Sequence, residues 1–155
     1  TAFIGNVQTH GNVKRSYDFD DETKAIYRKY VKIHDALRPY LVEQGKISCK
    51  TGIPLVRHLA LNYWQDKKVW NIEDEFMLGN KLLVAPILDS GNFRSIYLPE
   101  GNWTNLWTGE KYKSGRTLTA YKVPDDEIPV FVNVDETSEA FEQCRSEVIK
   151  LYSEA

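Results

Sequence analysis

Leu82-Leu-Val-Ala-Pro-Ile-Leu88 is an unbroken apolar run of strand length, the pattern of a strand covered on both faces. On its C-terminal side come Arg94-Ser-Ile-Tyr-Leu98, Trp103-Thr-Asn-Leu-Trp107, Thr117-Leu-Thr-Ala-Tyr121 and Val130-Phe-Val-Asn-Val134, each short and rich in β-branched or aromatic residues. Asp89-Ser-Gly91, Pro99-Glu-Gly-Asn102 and Pro124-Asp-Asp126 punctuate them as turns. Several short strands at this spacing predict an antiparallel sandwich or barrel.

Towards the N-terminus the period changes. Ile26, Tyr30, Ile33, Leu37 and Leu41 recur at helical spacing, one face of a helix of roughly six turns. Asp18, Asp20 and Asp21 supply N-cap and first-turn carboxylates. Pro39 removes one backbone hydrogen bond, which predicts a kink near Asp35, and Gly45 reads as the stop. Between the helix and the strands, Pro54 suits the first turn of a short helix carrying Leu55, Val56, Leu59 and Leu61. Gln65 to Lys68 is polar and turn-like, and Asp74 to Leu78 reads as another short helix or turn. Past Thr137 the tail turns helical, with Phe141, Val148, Leu151 and Tyr152 as its apolar positions. The fold class is therefore α+β: an N-terminal helical segment, an antiparallel β-sandwich and a C-terminal helix.

The 155 residues are too few for a complete (β/α)8 barrel, which needs ~250. The chain opens on Thr1 and its single methionine is Met77, as expected of a piece of a longer polypeptide. A net charge of −2 favours neither nucleic acid nor an anionic membrane, and no run approaches the ~20 apolar residues of a membrane span. Cys49 and Cys144 lack zinc-ligand spacing and read as free thiols, which favours a reducing compartment, the cytoplasm. Phosphate loops, nucleophile elbows and zinc-protease motifs do not occur.

His10 is the candidate binding residue. It follows the short apolar stretch Ala2-Phe-Ile-Gly-Asn-Val7 and sits in the polar run Gln8-Thr-His-Gly-Asn12. Barrel enzymes place working side chains there, on loops after strands. His34, beside the helical stripe, and His58 read as packing or surface residues. Trp103 and Trp107 would project from one face of a strand, either as a sugar-stacking platform or as anchors of the sandwich.

Gly52-Ile-Pro-Leu-Val-Arg57, Asp74-Glu-Phe-Met-Leu-Gly79, Leu82-Leu-Val-Ala-Pro86, Ile96-Tyr-Leu-Pro99, Gly101-Asn-Trp103, Trp107-Thr-Gly109 and Ile128-Pro-Val-Phe-Val132 together resemble glycoside hydrolase family 31, the retaining α-glycosidases. The likeness runs from Phe3 to Val134. Phe3 to His10 overlays that family's Phe-x-Pro-x-x-x-x-His motif, with Gly5 in place of the proline. Arg15-Ser-Tyr-Asp18 departs from the family's Arg-x-Pro-Trp.

The resemblance implies four segments: residues 1–50 as the last β/α unit of a catalytic barrel, 51–79 as a helical connection, 80–135 as the proximal β-sandwich and 136–155 as a C-terminal helix. It implies hydrolysis of a terminal α-glucoside or α-xyloside with retention, without metal or organic cofactor. His10 would hydrogen-bond hydroxyls of the sugar, through ring nitrogens able to donate and accept in one plane. The family's nucleophile and acid/base aspartate motifs are absent, so no carboxylate of this chain is nominated as catalytic and the chain alone is expected to be inactive.

Its partners would be the carbohydrate of the full enzyme and the remainder of the barrel. An Ile26–Leu41 face stripped of that barrel is expected to be exposed. The alternatives are a non-catalytic carbohydrate-binding sandwich module and a structural subunit that completes a partner's barrel.

Overall fold

The structure, a computed structural model, describes residues 20–89, 91–113 and 115–154. It is α+β, with two helices, two antiparallel sheets and a closing helix in chain order. These residues form two compact units: one holds those up to Val42 together with those from Glu139 onward, and the other is Glu43–Ser138.

In the first unit, helix α1 (Asp21–Ala36) starts at Asp20, whose carboxylate accepts the Thr23 N–H at 2.6 Å, as the aspartate cluster predicts. It ends at Leu37, and α2 (Arg38–Thr51) begins one residue later with Pro39 in its first turn. Pro39 has no N–H to offer Asp35, and the kink expected near Asp35 is a break at Leu37 that divides the expected single helix in two. Tyr30, Ile33, Leu37 and Tyr40 are buried, and α3 (Glu139–Ser153) packs on α1. The Phe141 ring meets Tyr40 edge-on at 5.4 Å, and the Lys29 ammonium lies 4.1 Å from the Tyr152 ring centre. The expected bare stripe along Ile26–Leu41 is therefore corrected: the C-terminal helix contributes Phe141, Cys144 and Val148 to the same buried layer.

Gly45 does not stop the helix. A glycine inside a helix costs only ~1 kcal/mol, and α2 continues to Thr51. The stop is Gly52, at φ 75°, a left-handed conformation that glycine takes without steric cost.

The second unit holds eight strands among the described residues. β1 (Val56–His58), β2 (Phe76–Leu78) and β3 (Leu82–Val84) form an antiparallel meander. β4 (Phe93–Leu98) pairs with β7 (Arg116–Lys122) in a second sheet. β5 (Asn102–Asn105), β6 (Lys111–Lys113) and β8 (Val130–Asn133) return to the first, whose order is β1-β2-β3-β8-β5-β6. The segment 51–79 thus departs from the expected helices. It supplies β1 and β2, and Leu59–Leu61 and Lys67–Asn71 are short 3-10 turns. Strands of three residues show too little alternation to be told from a helical turn by periodicity.

β3 behaves as its sequence predicts, with Leu82, Leu83 and Val84 all fully buried. Met77, Leu83, Trp103 and Phe131 of the six-stranded sheet share one core with Ile96, Leu98 and Leu118 of the two-stranded sheet, which makes the unit a sandwich. Tyr112 and Tyr121 meet the Phe131 ring edge-on at 5.6 and 5.8 Å. In β7 the register slips: Arg94 faces Tyr121 and Ile96 faces Leu118, so Thr119 and Ala120 stand opposite Ser95 alone. This is a β-bulge, and Ala120 takes φ 52° to make it.

Candidate functional site

His10 and the surrounding stretch from Phe3 to Asn12 lie outside the described residues. The other two histidines are placed. His34 is half-buried on α1. His58 ends β1 with Nδ1 accepting the Ala60 N–H at 3.1 Å, so its ring caps the following 3-10 turn.

The carboxylates divide in two. Asp20 accepts both the N–H and the hydroxyl of Thr23, and those bonds, the backbone one first, hold its pKa below the ordinary value. The second group, after Glu73, contains the most perturbed acid of the sandwich. Glu75 Oε1 accepts the Tyr97 N–H at 2.8 Å and lies 3.6 Å from the Arg94 guanidinium, while Oε2 is buried with no hydrogen-bond partner. Burial pushes Glu75 up to about 7, and neither the Tyr97 N–H nor Arg94 offsets it. Arg94 also binds the Asp74 carboxylate at 2.8 Å and the carbonyls of Asp74 and Pro86.

A perturbed acid often marks a reactive site. Here the Glu75 side chain is only 3% exposed, so no substrate reaches it and its role is to tie the start of β2 to β4. Arg94 and Glu75 stand 19 positions apart, and no local spacing in the sequence announces their pairing.

The tryptophans resolve the question of a platform on the sandwich. Trp103 is on β5, but Trp107 lies in the turn after it rather than on the same strand face. Both are buried, at 1% and 8% exposure, with indole N–H groups donating to the carbonyls of Pro99 and Ile128. They are anchors, unavailable to a sugar. Trp64 and Trp70, which sequence reading did not single out, are 65% and 58% exposed. The one available signal was their place around the polar stretch Gln65 to Lys68.

Comparison with known proteins places this geometry. The family model of the glycosyl hydrolase family 31 C-terminal domain matches residues 52–136. A sulfoquinovosidase from Escherichia coli K12 is 34% identical over 140 residues, covering 87% of this chain and 20% of the relative. Among solved structures, a family 31 α-xylosidase from a soil metagenome, complexed with xylose, superposes with a TM-score of 0.76 at 30% identity. That match covers 86% of this chain and 20% of the other. A Flavobacterium johnsoniae dextranase of the family, complexed with isomaltotriose, gives 0.74 at 35% identity, over 80% of this chain and 15% of its own. The chain spans between a tenth and a quarter of the length of curated relatives it matches. It belongs to glycoside hydrolase family 31, and residues 52–136 are a C-terminal domain of that family.

Proposed function

We propose that this chain is the C-terminal portion of a retaining α-glycosidase that hydrolyses terminal α-glucosides or α-xylosides. The observation that carries the reading is the match of residues 52–136 to the family's C-terminal domain. It is supported by the xylose and isomaltotriose complexes of the related α-xylosidase and dextranase.

In this reading residues 1–50 supply the last β/α unit of the catalytic barrel, and 51–79 form a connection that brings β1 and β2 to the sandwich sheet. Residues 80–135 are the proximal sandwich, and 136–155 a C-terminal helix. The reaction proceeds through a covalent glycosyl-aspartate and an oxocarbenium-like transition state, which needs two carboxylates ~5–5.5 Å apart and no metal. Those carboxylates come from the remainder of the barrel. This chain contributes His10, whose imidazole holds hydroxyls of the sugar undergoing cleavage.

Sequencing the DNA upstream of the Thr1 codon tests the reading. An in-frame continuation carrying the aspartate motifs is expected, and a start codon immediately before Thr1 would overturn it. The 155-residue chain alone is expected to leave aryl α-glucosides and α-xylosides unhydrolysed, and His10→Ala in the complete enzyme to raise KM and lower kcat.

A further inference from the structure

Trp64 and Trp70 expose two indoles on the turns between β1 and β2 of a unit whose other two tryptophans are buried. Rings of this size left in water are apolar surface that a ligand can cover. The Trp70 ring is tied to the neighbouring turn: its indole N–H donates to the Trp64 carbonyl at 3.1 Å. Beside them lies a concavity of about 300 Å³, lined by Asn62, Tyr63, Trp64, Gln65, Asp66 and Glu100.

Its floor is fixed to the core. The Tyr63 ring stands 6.3 Å from Trp103, and its hydroxyl accepts the Asn133 amide at 3.1 Å. Asp66 accepts the Tyr97 hydroxyl at 2.6 Å and the Lys68 N–H at 3.0 Å. Glu100 is positioned by the turn between β4 and β5, where the Pro99 carbonyl takes the Trp103 indole N–H. Tyr63 and Asp66 are thus fixed before anything binds, which limits the entropy lost at the floor of the site.

We infer that this turn is a carbohydrate-binding site, and that it takes a neutral pyranose of an oligosaccharide. A pyranose has an apolar C–H face and a rim of hydroxyls. The exposed Trp64 ring matches the face, the amides of Asn62 and Gln65 donate to the rim, and the Glu100 carboxylate accepts from it. Two carboxylates and, among the described residues, no cation line the concavity, which disfavours sulfonated or phosphorylated sugars. The inference goes beyond the proposed function and does not depend on it.

Isomaltotriose, titrated into the 155-residue chain while the indole N–H resonances are followed by NMR, tests it. The Trp64 and Trp70 resonances are expected to shift and saturate with a Kd on the order of 1 mM, while those of Trp103 and Trp107 stay in place. Trp64→Ala is expected to weaken binding at least about tenfold, and Glu100→Gln about threefold, with the Trp103 and Trp107 resonances reporting that each variant is folded. Unchanged shifts in His10→Ala separate this site from the proposed active site. No shift at ~20 mM sugar would overturn the inference. So would shifts lost in His10→Ala, or shifts that follow protein concentration instead of sugar, which would assign the two indoles to a protein contact.

Discussion

Trp103 and Trp107 are buried on and just after β5, whereas Trp64 and Trp70 lie exposed on the turns that separate β1 from β2. Polar satisfaction does not distinguish them, since Trp103, Trp107 and Trp70 each donate an indole N–H to a backbone carbonyl. The difference is cover. β5 runs between β8 and β6 and contributes to a core closed from the far side by β4 and β7, while the turns send Leu59 and Val69 into that core and leave Trp64 and Trp70 uncovered among the described residues. The same residue type is an anchor in one region and an open surface in the other, and only the sheet order decides which.

Breaking the buried side should have the largest effect. Trp103→Ala removes a fully packed indole and its hydrogen bond to the Pro99 carbonyl, and is expected to cost about 3–5 kcal/mol in urea unfolding.

Next comes the buried acid behind the same core. Glu75 is raised from 4.5 to about 7, so the folded state holds its proton more tightly than the unfolded chain. The stability this contributes is fully present below pH 4.5 and is lost as pH rises through about 7, a change on the order of 3 kcal/mol. Arg94 and Asp74 are the charged groups beside it, and Glu75→Gln should flatten the slope between urea midpoints taken at the two ends of that window.

A smaller gain is expected from the one strained residue of the two-stranded sheet. Ala120→Gly relieves a left-handed alanine and should stabilise by about 1 kcal/mol, read as a rise in Tm. Smallest of all, Trp64→Ala should change stability by less than about 0.5 kcal/mol, because its ring packs on little. A loss near that of Trp103→Ala would erase the contrast.

How far the sequence revealed this arrangement depended on element length and on distance along the chain. β3, β4, β7 and β8 were legible because apolar or β-branched residues dominate them and turn residues bound them. The break before Pro39 followed from a missing N–H, a strictly local cause. β1 was read as helix and β2 as a short helix or turn because Pro54 and three-residue strands leave no alternation to count, and β6, Lys111–Lys113, has one half-buried tyrosine between exposed lysines. The cover of the Ile26–Leu41 stripe by α3 joins segments more than a hundred residues apart, which no window along the chain can detect. Of the candidate sites, His58, read as a packing or surface residue, is exposed and caps a 3-10 turn, and of the two readings of Trp103 and Trp107 their burial supports the anchors. The exposure of Trp64 and Trp70 was not, because exposure is a property of what lies opposite.

β8 is the last in chain order of the eight described strands, yet it lies in the middle of its sheet, between β3 and β5. Until Val130–Asn133 leaves the ribosome, the nascent chain holds two fragments of sheet, each with an unpaired edge where β8 belongs. Open edges of this kind recruit strands from other chains. Synthesis of this domain therefore passes through an interval in which its hazard is a neighbouring polypeptide, and the final strand acts as the stitch that ends it.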